Sequence, residues 1–199
     1  GQLPWRFFIE SVMSGMTSIS NSGHLVKKVY FPREVLPTAT VLSALVNFLI
    51  ALPVLLLLTA LAGIPITTNI LLLPIPILIQ VVFSLGLVLF LSALEVYYRD
   101  THMIMDVLIQ AWFFLTPIIY PIEQIPEKAT VLGITFNARV WLFRFNPMAS
   151  IINTYQDIVY YGTLPDIDFL GRTAFTSLIV LVVGYWAFRK MSNKFGEVV

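Results

Sequence analysis

The side chains able to do acid, base, nucleophilic or metal chemistry are few in this sequence and do not converge. The two histidines, His24 and His102, each lie in or beside a short polar loop, and no spacing of His and acid resembles a metal box. There is no cysteine, which excludes disulfides, thiolate metal sites and cysteine nucleophiles and leaves the redox compartment open. Asp100 and Asp106 are too badly spaced to share a helix face. Asp100 beside Arg99 reads as a local pair, and Asp106 as a cap or salt-bridging group near the next helix. Asp166 and Asp168 follow Pro165, where solvated turn chemistry is the ordinary reading. No nucleophile, base and orienting group form a set, and no G-x-x-x-x-G-K-[ST] phosphate loop is present. The chain is therefore expected to be no enzyme and to bind no metal or cofactor of its own. What stands out is a basic and aromatic element at residues 25–37, carrying Lys27, Lys28, Tyr30, Phe31, Pro32, Arg33 and Glu34. Its simplest role is anchorage to anionic headgroups.

The elements that position these residues cannot be wrapped in water. Of 199 residues 58% are hydrophobic and 12% charged, against about 25% charged in soluble proteins. From Val35 to Leu94 sixty consecutive residues carry no Asp, Glu, Lys, Arg or His. As one helix that run reaches about 90 Å, and a bilayer core is only about 30 Å thick. It must fold back, and Gly63, Pro65, Thr67, Thr68 and Asn69 supply the break. The net charge of +1 gives no footprint for nucleic acid. The expected fold is one all-α, polytopic membrane helix bundle filling residues 1–199. Its five spans fall at residues 5–22, 37–62, 70–94, 105–122 and 171–188, and short outer helices lie between the last two. Pro117 and Pro121 are expected to kink the fourth span.

Sidedness follows from the positive-inside rule. Lys27, Lys28 and Arg33 mark the loop after the first span, Arg99 the loop after the third, and Arg189, Lys190 and Lys194 the tail. These face the cytoplasm, so the C-terminus is inside and Gly1 outside. With no basic start before an apolar core, an outside N-terminus implies a further span upstream of this chain. The first span carries small residues four apart, Ser11 with Gly15 and Ser14 with Ser18 and Ser22, which let helix backbones approach. Arg6 and Glu10 can pair on one face, most simply as an interfacial ion pair without function. On the outer side, within residues 123–168, Asn146 caps a helix that Pro147 starts and Gly162 ends. Met148, Ile151, Ile152, Tyr155, Ile158 and Val159 form its apolar face. An amphipathic helix there rests on the interface or dips between spans, and the sequence slightly favours the interface.

Residues 25–37, read as Leu25-Val26-Lys27-Lys28-Val29-Tyr30-Phe31-Pro32-Arg33-Glu34-Val35-Leu36-Pro37, closely resemble the inner loop of permease subunits of ABC-type exporters for cell-surface polysaccharides. That group includes O-antigen, teichoic-acid and capsular exporters. Further segments match the same pattern in order: Leu3-Pro4-Trp5 with Phe7-Phe8, Val96-Tyr97-Tyr98-Arg99-Asp100, residues 113–120, Phe145-Asn146-Pro147, and residues 195–199. The resemblance implies six spans in the complete protein and a homodimer in the cytoplasmic membrane of a bacterium or archaeon. It implies a separate ATPase subunit using ATP and magnesium, and a lipid-linked glycan as cargo. It assigns residues 23–37 to the coupling element, with Tyr30 and Phe31 as aromatic anchors. It also assigns the outer segment, with Trp141, Asn146, Pro147, Tyr155, Tyr160 and Tyr161, to a gate.

Sugars offer apolar C–H faces and hydroxyls, so rings beside uncharged polar groups can hold them. Trp112, Phe113, Phe114, Thr116 and Tyr120 fit that description, although Trp and Tyr at span ends more often form interfacial belts. Rival classes are weaker. A secondary transporter needs ionising or ion-coordinating groups near the midplane, where the middle spans offer only Asn47 and Gln80, which can hydrogen-bond between helices. A membrane-embedded enzyme needs acids, bases or a metal that are not arranged here. A structural anchor does not call for so many proline-broken spans. An ABC permease for another lipid or a drug is the nearer alternative.

Overall fold

The uncharged run folds as its length requires, as two long helices joined at Gly63. The computed structural model describes residues 1–22, 32–64, 67–120, 124, 128–131, 134–192 and 195. The chain opens with α1, Gln2–Met16, which continues past Thr17 as a short α2, Ser18–Asn21. The long helix α3, Val35–Leu61, ends before Gly63, whose φ of +79° is open to glycine alone at little cost. A 3-10 turn at Thr68–Leu72 leads into α4, Pro74–Tyr97, with Pro74 in the first turn, where a missing N–H costs nothing. Helix α5 is Thr101–Phe114. After it come a hairpin of β1, Lys128–Val131, and β2, Ile134–Asn137, then α6, Ala138–Phe145, and α7, Pro147–Gln156. A π turn at Asp157–Tyr161 follows, and α8, Ile167–Ser192, closes the chain.

This is a helical membrane bundle. Among the described residues three stretches are long and apolar enough to cross a bilayer: Val35–Leu61, Thr68–Tyr97 and Ile167–Ser192. The other two expected spans are built differently. Helix α1 with its continuation α2 runs over residues 2–21, about 30 Å, and carries polar residues, whereas the 14 residues of α5 reach about 21 Å, short of the hydrocarbon thickness of about 30 Å. Pro117 does not kink α5, because the helix has already ended at Phe114. Proline disfavours helical geometry at the residue before it and removes an N–H of its own. The antiparallel hairpin, with Lys128 opposite Asn137 and Val131 opposite Ile134, was not foreseen in the outer segment. Its β-branched residues suit a pleated ribbon.

Helix α1 lies at the centre, packed on α3, α4 and α5. Trp5, Phe7, Phe8, Val12 and Met16 are buried, and Phe8 meets both Phe83 of α4 and Trp112 of α5. The small-residue reading holds for one face only. Ser11, Gly15 and Ser18 are buried while Ser14 is exposed, and a Cβ on Gly15 would lie 2.4 Å from Val88. The closest crossing joins α4 to α8. A Cβ on Gly184 would fall 2.0 Å from the carbonyl oxygen of Gly86, and one on Gly86 2.5 Å from the amide nitrogen of Leu181. Backbone touches backbone there, the close approach that small residues permit in lipid.

Helix α7 does not rest on an interface. Met148, Ala149, Ile151, Ile152 and Tyr155 are all buried, Tyr155 packs edge-on against Phe48 of α3, and Ser150 accepts a hydrogen bond from Thr173 of α8 at 2.7 Å. Its polar side is satisfied locally. Thr154 donates to the Ser150 carbonyl and Asn153 to Asp157, so the helix enters the bundle without unpaired groups on that side. Gly162, at φ +64°, ends the π turn, and its carbonyl accepts from Asn69 at 2.7 Å. The end of that turn is thereby fastened to the α3–α4 connection.

Substituting Gly184→Ala should drive the α4–α8 crossing apart and cost about 1–3 kcal/mol. The thermal midpoint in detergent should fall, whereas Gly171→Ala, with open space around it, should leave the midpoint unchanged.

Candidate functional site

At the end of the bundle where α3 starts and α8 finishes, the described part of the basic loop is built into the fold. Lys27, Lys28, Tyr30 and Phe31 lie outside the described residues. Pro32 is exposed and Glu34 stands just before α3. Arg33 donates to the carbonyl of Ser192, the last residue of α8, and its guanidinium lies 5.8 Å from the Phe195 ring centroid. A cation at a helix C-terminus meets unpaired carbonyls and the negative end of the macrodipole. Phe195 is fully buried against Tyr97 and Phe188, and the Tyr97 hydroxyl donates to the Met191 carbonyl at 2.9 Å. Beside this cluster Ser20 donates to Glu95, a carboxylate only 6% exposed. Sequence reasoning passed over Glu95, whose signal is that it is the first charge after the uncharged run.

At the other end Asn146 joins α5 to α7. Its Oδ1 accepts from the Trp112 indole N–H at 2.8 Å and from the Ala149 amide at 3.2 Å. Its Nδ2 donates to Thr116 Oγ1 at 2.9 Å and to the Leu115 carbonyl at 3.3 Å. The capping role read from the sequence is present, and the side chain satisfies three further partners. Gln156 adds a bond to the Pro117 carbonyl at 3.2 Å. Trp112 packs edge-on against Phe8 and Phe83, and Phe113 against Trp5. Of the rings expected to meet cargo, then, Trp112 and Phe113 serve the interior with Thr116, while Phe114 is exposed and Tyr120 is partly covered. Between α5 and α8 Tyr155 is buried; Trp141, stacked on Phe145, and the paired Tyr160 and Tyr161 are exposed.

A third arrangement concerns α1. Gln2, Arg6, Glu10, Ser14 and Asn21 are exposed and Thr17 is partly so, a spacing of four, four, four, three and four that marks one helix face. The expected partner of Glu10 was Arg6; its Oε1 instead accepts from Asn47 of α3 at 2.8 Å. Asn47 thus bridges helices, as does Gln80, which donates to the Pro4 carbonyl at 2.7 Å. A cleft of about 630 Å³ opens here, lined by Arg6, Glu10 and Asn47 among apolar residues including Phe7, Ala44 and Phe48. The outward faces of α3 and α8 are apolar, with Leu49, Ile50, Val54 and Leu57 on one and Leu178, Ile179 and Val182 on the other. Helix α1 presents polar groups along its length, and α5 adds a shorter row of exposed His102, Asp106 and Gln110. Among the described residues no cluster of His, Cys, Asp and Glu could hold a metal ion.

Long apolar helices with a short helix folded into one end define a helical membrane protein. Residues 2–160 match the family described as "ABC-2 type transporter", and the chain belongs to that family. It is 36% identical over 197 residues to the O-antigen export system permease protein RfbA of Myxococcus xanthus, covering 99% of this chain and 73% of that protein. A protein of the same description from Klebsiella pneumoniae is 30% identical over 199 residues, again covering 73% of its length.

Asn146→Ala removes a helix cap, worth about 1 kcal/mol, and leaves the Trp112 indole and Thr116 short of partners, at about 1–3 kcal/mol more. The variant should show a lower thermal midpoint and faster thermolysin cleavage between α5 and α8, and unchanged cleavage would contradict the joint.

Proposed function

We propose that this chain is the transmembrane subunit of an ATP-driven exporter that moves a lipid-linked polysaccharide across the cytoplasmic membrane. Two copies enclose the path, and a separate ATPase subunit hydrolyses ATP with magnesium. The observation that carries the reading is the polar face of α1 beside the apolar outward faces of α3 and α8. Charged and amide side chains exposed to hydrocarbon are costly, so that face fits a water-filled path. Amides and hydroxyls on it suit a hydroxylated cargo that must be held weakly and released. The relatives named for O-antigen export support a polysaccharide over a drug or small lipid.

Residues 23–37 couple the path to the ATPase. Tyr30 and Phe31 anchor the loop on that partner, Lys27, Lys28 and Glu34 form its charged rim, and Pro32 stiffens it. Arg33 ties the loop to α8. ATP-dependent movement of the partner tilts the helices only if the partner binds the loop differently in its two states. The outer segment, with Trp141, Pro147, Tyr160 and Tyr161 exposed or partly exposed around buried Asn146 and Tyr155, closes the path from outside.

Two experiments test this. Replacing Tyr30 and Phe31 by Ala in the full-length protein should cut export and substrate-stimulated ATPase activity about tenfold or more, since interface aromatics often cost about 2 kcal/mol on truncation; unchanged activities would sink the coupling role. The absence of cysteine also allows single cysteines to be read cleanly. Glu10→Cys and Ser14→Cys should react with a membrane-impermeant maleimide in proteoliposomes while Val54→Cys stays protected, and protection at all of these positions would place α1 against lipid or protein instead.

A further inference from the structure

Helix α8 carries a second ordered surface, turned to lipid. Arg172, Phe175, Ile179, Val182, Trp186 and Lys190 recur at helical spacing, and every one of them is exposed. Arg172 and Lys190 are eighteen residues apart, about 27 Å along a helix, close to the hydrocarbon thickness of about 30 Å. The two cations therefore stand at opposite headgroup levels with a purely apolar stripe between them. Lys190 needs no further partner to reach its interface, and its ammonium lies 5.0 Å over the Trp186 ring.

Arg172 is placed differently. It shares a cleft of about 190 Å³ with Arg144, which projects from the last turn of α6, and with Phe143, Pro147, Thr173 and Phe175. The hydroxyls nearby are already engaged, Thr173 with Ser150 and Phe169 and Thr176 with the Arg172 carbonyl. Asp166 accepts from the amides of Asp168 and Phe169 at the start of α8. Among the described residues neither Arg144 nor Arg172 carries an ion pair. Two guanidiniums opening on one small cleft repel each other unless an anion lies between them, and arginine forks match phosphate oxygens.

We propose that Arg144 and Arg172 clamp the phosphate of an anionic glycerophospholipid, whose acyl chains lie along Phe175, Ile179 and Val182. The apolar wall continuous with the two arginines favours a membrane lipid over a soluble anion. The site lies on the α8 surface, distinct from the polar face of α1, and does not depend on what the protein exports. A bound lipid here braces α6 against α8 at the end of the bundle that holds α7.

The test uses the full-length protein with its ATPase subunit in nanodiscs of phosphatidylcholine alone or with phosphatidylglycerol. Phosphatidylglycerol should raise the thermal midpoint and remain bound in native mass spectra. Arg144→Gln with Arg172→Gln should lose both effects while melting as wild type in phosphatidylcholine, and Arg144→Lys with Arg172→Lys should keep a substantial part of them. The proposal is overturned if the glutamine pair retains the phosphatidylglycerol shift. It is equally overturned if inorganic phosphate in lipid-free detergent reproduces that shift, which would make this a soluble-anion site. Disulfide formation between two copies at Val182→Cys would show the stripe covered by protein and would overturn it as well.

Discussion

In a bilayer an apolar side chain gains little by exchanging lipid for protein, so this bundle depends on backbones that come close enough for dispersion contacts to accumulate. Gly86 and Gly184 provide that closeness between α4 and α8. Any side chain there would stand between the helices and separate surfaces that run the length of both. Gly15 does the same for α1 against α4. Apolar residues of α3 such as Leu49, Ile50, Val54 and Leu57 can then face outward without loss, an arrangement that would be unstable in water and is ordinary in lipid.

Polar groups supply what packing alone does not, which is register. Gln80 reaches the Pro4 carbonyl, Asn47 reaches Glu10, Ser20 reaches Glu95 and Asn146 joins Trp112, Thr116 and Ala149. Each bond is local and each alternative register leaves a polar group stranded in a dry environment. A helix of the bundle can therefore slide only by breaking several of these links together. Along the polar face of α1, Glu10 is held in this way by Asn47, while Gln2, Arg6 and Ser14 stand exposed.

Much of this was legible in the residues. The uncharged run had to reverse, and Gly63 marks where. Asn146 followed by Pro147 marked a helix start, and the apolar face of α7 emerged with the expected spacing. Periodicity identifies which side of a helix is apolar, but it does not tell whether the other side meets water or protein, so the depth of α7 was out of reach. The same limit applies to Trp112 and Thr116. A ring and a hydroxyl resemble a sugar contact until the fold brings an amide 34 residues away to the indole. Gly86 and Gly184 look like weak points in their own helices and show their purpose only once paired. Ser11 and Ser14 looked alike in sequence, and a rotation of about 300° around the helix put one in the core and the other on the open face. The roles of residues 23–31 in coupling rest on resemblance, with Arg33 alone giving them a structural neighbour.

That neighbour has a mechanical meaning. Arg33 stands one residue before Glu34, at the root of α3, and grips the final carbonyl of α8 beside the ring of Phe195. The start of one long helix and the finish of another are thus riveted together on the side where the tail is basic, and α8 is in turn locked to α4 at the glycines. A displacement delivered at this rivet reaches three long helices together, and α1 follows through the bonds of Asn47, Gln80 and Glu95.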